Sequence, residues 1–386
     1  TSDKPHYENV PFEVPSSWGW CKLHDIIQIT NGRSQKDVEN VNGKYPIYGS
    51  GGIIGKAVEY LCEAGSTIIG RKGTINNPLF VEERFWNIDT AFGMKPMYAI
   101  SDLYFFYFCQ YFDFSKLDKS TAVPSLTQSA IGEVFIPIPP INEQKHITDG
   151  ISYWFGFIDT LESNLNNLQL TIKQTKSKIL DLAIHGQLVP QDPTDEPASE
   201  LLKRINPKAE ITCDNGHYQK LPEGWAVCCL ENVAKVLDNL RKPINSNERN
   251  SRIANKHENE LFPYYGATGQ VGFIDDYLVD GTFLLLGEDG APFLDKYAIK
   301  SYPIKGKCWV NNHAHILDPQ CDFDYLMYYL NHVDYKDYVN GSTRLKLTQS
   351  DMRSIIILLP PLTEQKRISV KVKYLFRLLD SIACNL

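Results

Sequence analysis

Ile136-Pro137-Ile138-Pro139-Pro140-Ile141-Asn142-Glu143-Gln144-Lys145-His146-Ile147 returns as Ile357-Leu358-Leu359-Pro360-Pro361-Leu362-Thr363-Glu364-Gln365-Lys366-Arg367-Ile368, 221 positions later. Leu126-Thr127-Gln128-Ser129 returns as Leu347-Thr348-Gln349-Ser350 at the same offset. Solenoid repeats recur every ~20–50 residues. This repeat is far longer, so a whole domain is duplicated, each copy followed by the same helix start. Two similar domains on one chain can touch two similar sites on one partner.

The correspondence extends upstream. Pro15-Ser16-Ser17-Trp18 matches Pro222-Glu223-Gly224-Trp225, and Leu23 aligns with Leu230. Tyr45-Pro46-Ile47-Tyr48-Gly49 matches Phe262-Pro263-Tyr264-Tyr265-Gly266, residues 65–70 match the apolar run 281–287, and the surroundings of Trp86 resemble those of Trp309. The offset drifts before it settles, which places insertions in surface loops. We expect a first domain at 1–140, a spacer helix at 141–186 and a linker with a short helix at 187–220. A second domain at 221–361 and a second spacer helix at 362–386 follow.

Short β-branched and aromatic runs at 66–69, 87–90, 283–286 and 355–358 read as strands. Aromatic segments 102–112 and 323–333 read as helices. Each domain is therefore α+β. After the first Pro-Pro, Ile147, Ile151, Trp154, Ile158, Leu161, Leu165, Leu168, Ile172, Thr175, Ile179 and Leu182 alternate in steps of four and three. That is a coiled-coil seam held for about five heptads. Asn142 is its expected N-cap, Glu143 suits the positive helix end, and Gly186 and Pro190 stop it. Such a helix is roughly 60 Å long. Ile368, Val372, Leu375, Leu379, Ile382 and Leu386 keep the register in the second copy, which ends where the first is half complete. With no initiator Met, this leads us to expect missing ends, with a natural short form as the alternative. Pro197 suits the first position of a short helix, Ala198–Ile205.

Length allows two or three domains, and 43% apolar with 22% charged residues is ordinary for a globular protein. No apolar run reaches a membrane span, and residues 1–10 are polar, so no signal peptide is expected. Nine cysteines without a Cys-x-x-Cys pair argue against a zinc ribbon and suit a reducing cytoplasm. The net charge of −7 gives DNA binding no support by itself, because phosphate contacts need Lys and Arg; only a local basic patch would serve.

The order is domain, Pro139-Pro140-Ile141-Asn142-Glu143-Gln144, long helix, then Leu182-Ala183-Ile184-His185-Gly186-Gln187-Leu188-Val189-Pro190-Gln191-Asp192-Pro193. Glu196-Pro197-Ala198-Ser199-Glu200-Leu201-Leu202 and a second domain and helix follow. With the domain openers at Trp18 and Trp225, this resembles the specificity subunit of type I restriction–modification enzymes over nearly the whole chain. Each motif is weak alone; their order and duplication are specific. The resemblance implies two target-recognition domains joined by long antiparallel coiled-coil helices, each domain reading half of a bipartite double-stranded DNA site. It implies methyltransferase subunits docked on the helices and, in the restricting enzyme, motor-nuclease subunits. S-adenosylmethionine, ATP and Mg belong to those partners, and the specificity subunit catalyses nothing. This chain departs from the pattern in lacking the distal half of the second helix. A rigid rod would fix the gap between half-sites better than a flexible linker.

Candidate DNA contacts cluster in three loops per domain. In the first, Gly70-Arg71-Lys72-Gly73-Thr74-Ile75-Asn76-Asn77 offers an Arg fork for guanine, amides for adenine and a Lys for phosphate. A solvated turn would use the same residue types. Its counterpart, Gly287-Glu288-Asp289-Gly290-Ala291, is charge-reversed: either it accepts from cytosine N4, or the loop faces away from DNA in both copies. The Gly-rich stretches carrying Ser50 and Lys56, and Thr268 and Gln270, permit close approach to phosphate or make hairpin turns. Lys119, Ser125 and Thr127, with their partners Arg344, Lys346 and Thr348, offer hydroxyls and bases to phosphate, or cap the next element.

Two other classes compete. A stand-alone DNA adenine methyltransferase would use Tyr48-Gly49-Ser50-Gly51-Gly52 and Asn77-Pro78-Leu79-Phe80. The first lacks Gly-x-Gly-x-x-Gly spacing, and the second has Leu79 where a Pro is needed. The other alternative is a coiled-coil protein-interaction adaptor. His313 and His315 have no third ligand at metal spacing and read as ordinary histidines.

Overall fold

The computed structural model describes residues 10–98, 100–120, 123–207 and 221–385. Most of the polar start at 1–10, Thr121 and Ala122 in the hydroxyl loop, and most of the stretch 206–220 lie outside the described residues. The chain divides into two compact units, Thr1–Glu162 and Ser163–Leu386.

In the first unit the strand Gly19–Lys22 pairs antiparallel with Phe135–Ile138, closing the domain end to end. A four-stranded sheet runs in the order Ile27–Asn31, Ala91–Pro96, Ser66–Gly70, Leu79–Val81. Beside it the hairpin Tyr45–Gly49 and Gly52–Ala57 pairs parallel with Trp86–Asn87. The expected strand at 87–90 is therefore displaced: pairing stops at Asn87 and resumes at Ala91. The helix Asp102–Tyr111 packs on the core built around Leu23, Ile69, Phe92, Phe105 and Ile136.

The second unit repeats this plan. Ala226–Cys229 pairs with Ile356–Leu359. A six-stranded sheet runs Ala234–Val236, Ala314–Pro319, Val279–Gly287, Ser301–Val310, Phe262–Gly266, Gly269–Ile274. Tyr264 faces Trp309 in parallel pairing as Ile47 faces Trp86, and a bulge follows Tyr264 as one follows Ile47. The indole N–H of Trp86 donates to the Arg33 carbonyl, and that of Trp309 to Lys242. The duplication is thus legible down to single hydrogen bonds. The short helix Ser246–Ile253 has no counterpart among the described elements of the first unit.

The repeated Pro-Pro-x-x-Glu-Gln has a physical reason. The long helix spans Ile141–Ile184 and its counterpart Leu362–Cys384. Each begins right after the second Pro, so Asn142 lies inside the helix and does not cap it. The glutamine at the fourth helical position anchors the helix instead. The buried Gln144 amide donates to the Pro139 carbonyl at 2.9 Å and accepts from the Ser101 amide at 2.8 Å, tying the helix to the start of Asp102–Tyr111. Gln365 does the same with Pro360 at 2.8 Å and the Asp322 amide at 2.9 Å, ahead of Phe323–His332.

In the second unit the distal part of the long helix runs antiparallel to Leu362–Cys384. Lys176 pairs with Asp380, while Gln191, beyond the helix end, meets Glu364 near the partner's start. Ile172 and Ile179 of the seam are buried there, and Ile179, Leu180 and Ala183 share a core with Ile368 and Val372. Trp154, Ile158, Leu161 and Leu168 are exposed, so the expected seam is covered only in part. A 23-residue helix spans about 34 Å, about half of the 44-residue one.

The segment after the long helix is docked, not slack. Gly186 takes the left-handed φ of 69° that ends the helix, and a Cβ there would lie 2.5 Å from Pro222. Asp195 holds Arg367 at 2.6 Å, and Ala198, Leu201 and Leu202 enter the core. Glu364, 1% exposed, accepts from the Trp225 indole at 3.1 Å. Burial pushes its carboxyl up, against the bonds from Gln191 and Trp225.

Gln365→Ala leaves the Pro360 carbonyl and Asp322 amide without their partner and should cost about 1–3 kcal/mol in urea unfolding. A loss within the ±0.5 kcal/mol of an ordinary surface change would contradict the staple.

Candidate nucleic-acid interface

In each unit three loops are drawn together by the same backbone bonds. In the first, Arg71 and Lys72 amides donate to the Thr90 carbonyl, Gly73 to Pro124 at 3.0 Å, and Leu126 back to Arg71 at 2.9 Å. In the second, Glu288 and Asp289 donate to His313, Gly290 to Leu345 at 3.0 Å, and Leu347 back to Glu288 at 2.7 Å. Lys72 bridges Ser125 as Asp289 bridges Lys346. Gly73 and Gly290 turn the loop at φ 78° and 77°, a conformation that disfavours other residues. The charge-reversed loops are therefore structural equivalents.

In the first unit the candidate loop cations Lys56, Arg71, Lys72 and Lys119 have no acidic partner among the described residues. Lys72 is exposed, and Arg71 lies 5.8 Å over the Phe92 ring. Thr74, Asn77, Lys119 and Lys56 are also exposed, and Ser50 is half-buried beside Gly70. Asn76 is committed elsewhere: its amide donates to Asp113 at 2.6 Å and accepts from the Phe114 amide at 2.7 Å. The Ser125 amide donates to Asp118, and Thr127 caps the helix Gln128–Gly132.

In the second unit the loops border an open cleft of about 700 Å³ whose lining includes Thr268, Asp289, Asn311, His313, Thr343 and Arg344. Arg344 binds Asp289 at 2.6 Å. Gln270 is exposed and donates to the Gly272 carbonyl. Thr348 caps Gln349–Arg353, the role Thr127 has in the first unit.

Glu288 is buried, not offered to solvent. Arg241 binds it and, at 3.2 Å, Asp238, while Lys346 reaches it at 3.4 Å. His315, fully buried, meets Asp238 at 2.7 Å through Nδ1 and the Leu347 carbonyl at 3.0 Å through Nε2. Burial alone would raise the Asp238 carboxyl; bonds from His315, Gln349 and the Ile316 amide overcome it and hold it below the usual carboxylate range. Asp238, Glu288 and His315 have ligand atoms within 4.8 Å of one another, the spacing of a metal site. The Arg241 guanidinium already supplies a cation to both carboxylates, so the set is complete as an ionic network. His315 stands where the first unit has Phe92, and Glu288 where it has Arg71. A cation over a ring has been exchanged for an acid beside an imidazole.

Three carboxylates (Asp238, Glu288, Asp289) thus face Arg241, Arg344 and Lys346. The reversal in the sequence is balanced by basic groups from other loops. Asp238 and Arg241 carry no expectation from the sequence, and His313, expected to be an ordinary histidine, holds the acidic loop through its carbonyl. Arg241 has no local signal, but His313 could have been found by aligning it with Thr90, one position before the shared Ala91 and Ala314.

A family model described as type I restriction modification DNA specificity domain matches the chain twice, over residues 15–170 and 222–384. A putative type I restriction enzyme specificity subunit of Haemophilus influenzae is 34% identical over 154 residues, 39% of this chain and 37% of its own length. The EcoDI specificity subunit of Escherichia coli is 18% identical over 390 residues, 96% of this chain and 84% of its own. Among solved structures, a chain from a study of complex assembly and conformational transition in the type I R-M system has a TM-score of 0.61 at 15% identity, covering 97% of this chain and 94% of that one. The HsdS subunit of Thermoanaerobacter tengcongensis has 0.54 at 13% identity, covering 96% and 92%. At these identities the structures speak for the fold alone.

Arg241→Met takes from Asp238 and Glu288 the guanidinium they share, leaving them only His315, Gln349, Lys346 and the Ile316 amide, and should cost about 3–5 kcal/mol in thermal or urea unfolding. Adding Asp238→Asn and Glu288→Gln should recover part of it. Equal stability of Arg241→Met and the native chain would contradict the network.

Proposed function

The chain belongs to the type I restriction–modification DNA specificity family, and we propose that it is the DNA-recognition subunit of such an enzyme, each unit reading one half of a bipartite site. The observation that carries this reading is the pair of equivalent three-loop assemblies, one per unit, with the same backbone bonds and different side chains. Identical frames present different surfaces, which is what an asymmetric site requires. The base and hydroxyl side chains of Lys72, Lys119, Thr268 and Arg344 suit phosphates and base edges.

A specificity subunit is a non-catalytic component. In this proposal methyltransferase subunits dock on the helices and bring S-adenosylmethionine, and motor-nuclease subunits bring ATP and Mg for restriction. The complex would work in the cytoplasm; no helix among the described residues is long and apolar enough to cross a membrane. With a net charge of −7 the chain alone should hold DNA weakly, and tight binding should come with assembly.

Lys72→Ala and Lys119→Ala are predicted to weaken duplex binding by the assembled complex and to reduce the slope of log affinity against log salt by about 0.9 per lost phosphate contact. Gel shifts over a salt series read this. An unchanged slope in both variants would remove these lysines from the interface.

A further inference from the structure

A second cavity, of about 380 Å³, lies in the second unit away from the recognition loops. The distal long helix, the helix Phe323–His332, the closing helix and residues 296–303 contribute to it. Leu180, Tyr328 and Phe376 line it, and Lys173, Lys176 and Lys296 are part of the same lining. Lys176 is paired with Asp380 and sits 5.3 Å from the Phe376 ring. Lys173 and Lys296 have no acidic partner among the described residues. Behind the wall lies an orphan donor. Ser301 is 1% exposed and its hydroxyl finds no partner, although its amide donates to Asn331 at 3.0 Å and its carbonyl accepts from Asn331 at 2.7 Å.

Binding clefts for small molecules are mainly apolar, with a few polar groups that fix orientation. Here the apolar walls are aromatic and the surplus charge is positive. We propose that this cavity binds a small aromatic carboxylate, its ring against Tyr328 and Phe376 and its anionic group among the lysines. A neutral aromatic would make no use of Lys173 and Lys296 at the rim. A bare anion would leave the apolar walls unfilled. The ligand would brace the recognition domain of this unit against its two helices. The inference stands apart from DNA recognition.

The test is calorimetric titration of the full chain with 2-naphthoate, and with 2-naphthalenemethanol as its uncharged counterpart. One saturable naphthoate site is expected, about tenfold weaker or more for the alcohol and for Lys173→Gln/Lys296→Gln. Those lysines are exposed, so that variant should keep its melting temperature. Leu180→Trp, which fills the cavity, should abolish binding. No saturable binding, or equal binding to native chain and lysine variant, would overturn the assignment; in the second case naphthoate sits elsewhere, such as on the exposed Trp154 face.

Discussion

A buried glutamine bonded at both ends is the constraint on which each half of this chain depends. Gln144 and Gln365 each donate back to the carbonyl of the first proline of the pair and accept from the backbone amide just ahead of an adjacent helix. The direction in which each long helix leaves its domain is thereby fixed by two hydrogen bonds in a dry site. The motif repeats because the mechanical problem repeats.

Above that joint the two units carry the same loop frame and differ in what they display. In the first unit Arg71 rests over Phe92, and Lys72 stands exposed. In the second, acids occupy those positions and are held by Arg241, Arg344 and Lys346. Backbone bonds between loops do not depend on side-chain identity, so the frame tolerates such exchange. A protein that must read different bases with one architecture has this separation of frame from surface.

Much of this was legible in the sequence. The 221-residue echo of Pro-Pro-x-x-Glu-Gln marked the duplication, and β-branched and aromatic runs and heptad spacing pointed to strands and helices. Of the segments that converge, 70–77 and 119–127 were identifiable by their recurrence, whereas the turn carrying Thr90, and His313 in the second unit, was not. What escaped depends on distant residues. Asp238 and Arg241 join Glu288 across about fifty positions, and no local pattern marks an ion pair of that reach. Asn76 has the composition of a contact residue, yet a remote turn at Asp113 claims both ends of its amide. The seam from Trp154 to Leu168 has coiled-coil spacing, but burial needs a facing helix, which spacing on one strand cannot guarantee.

The central claim is that each unit reads its own half-site with its own loops. Methylation-sensitive sequencing of DNA from cells expressing the chain with its methyltransferase partner measures this directly, comparing the native chain with a Thr268→Ala/Arg344→Ala variant. The account predicts a bipartite motif whose second-unit half relaxes in the variant, with the other half and the gap unchanged. An undivided motif, or simultaneous change in both halves, would contradict it.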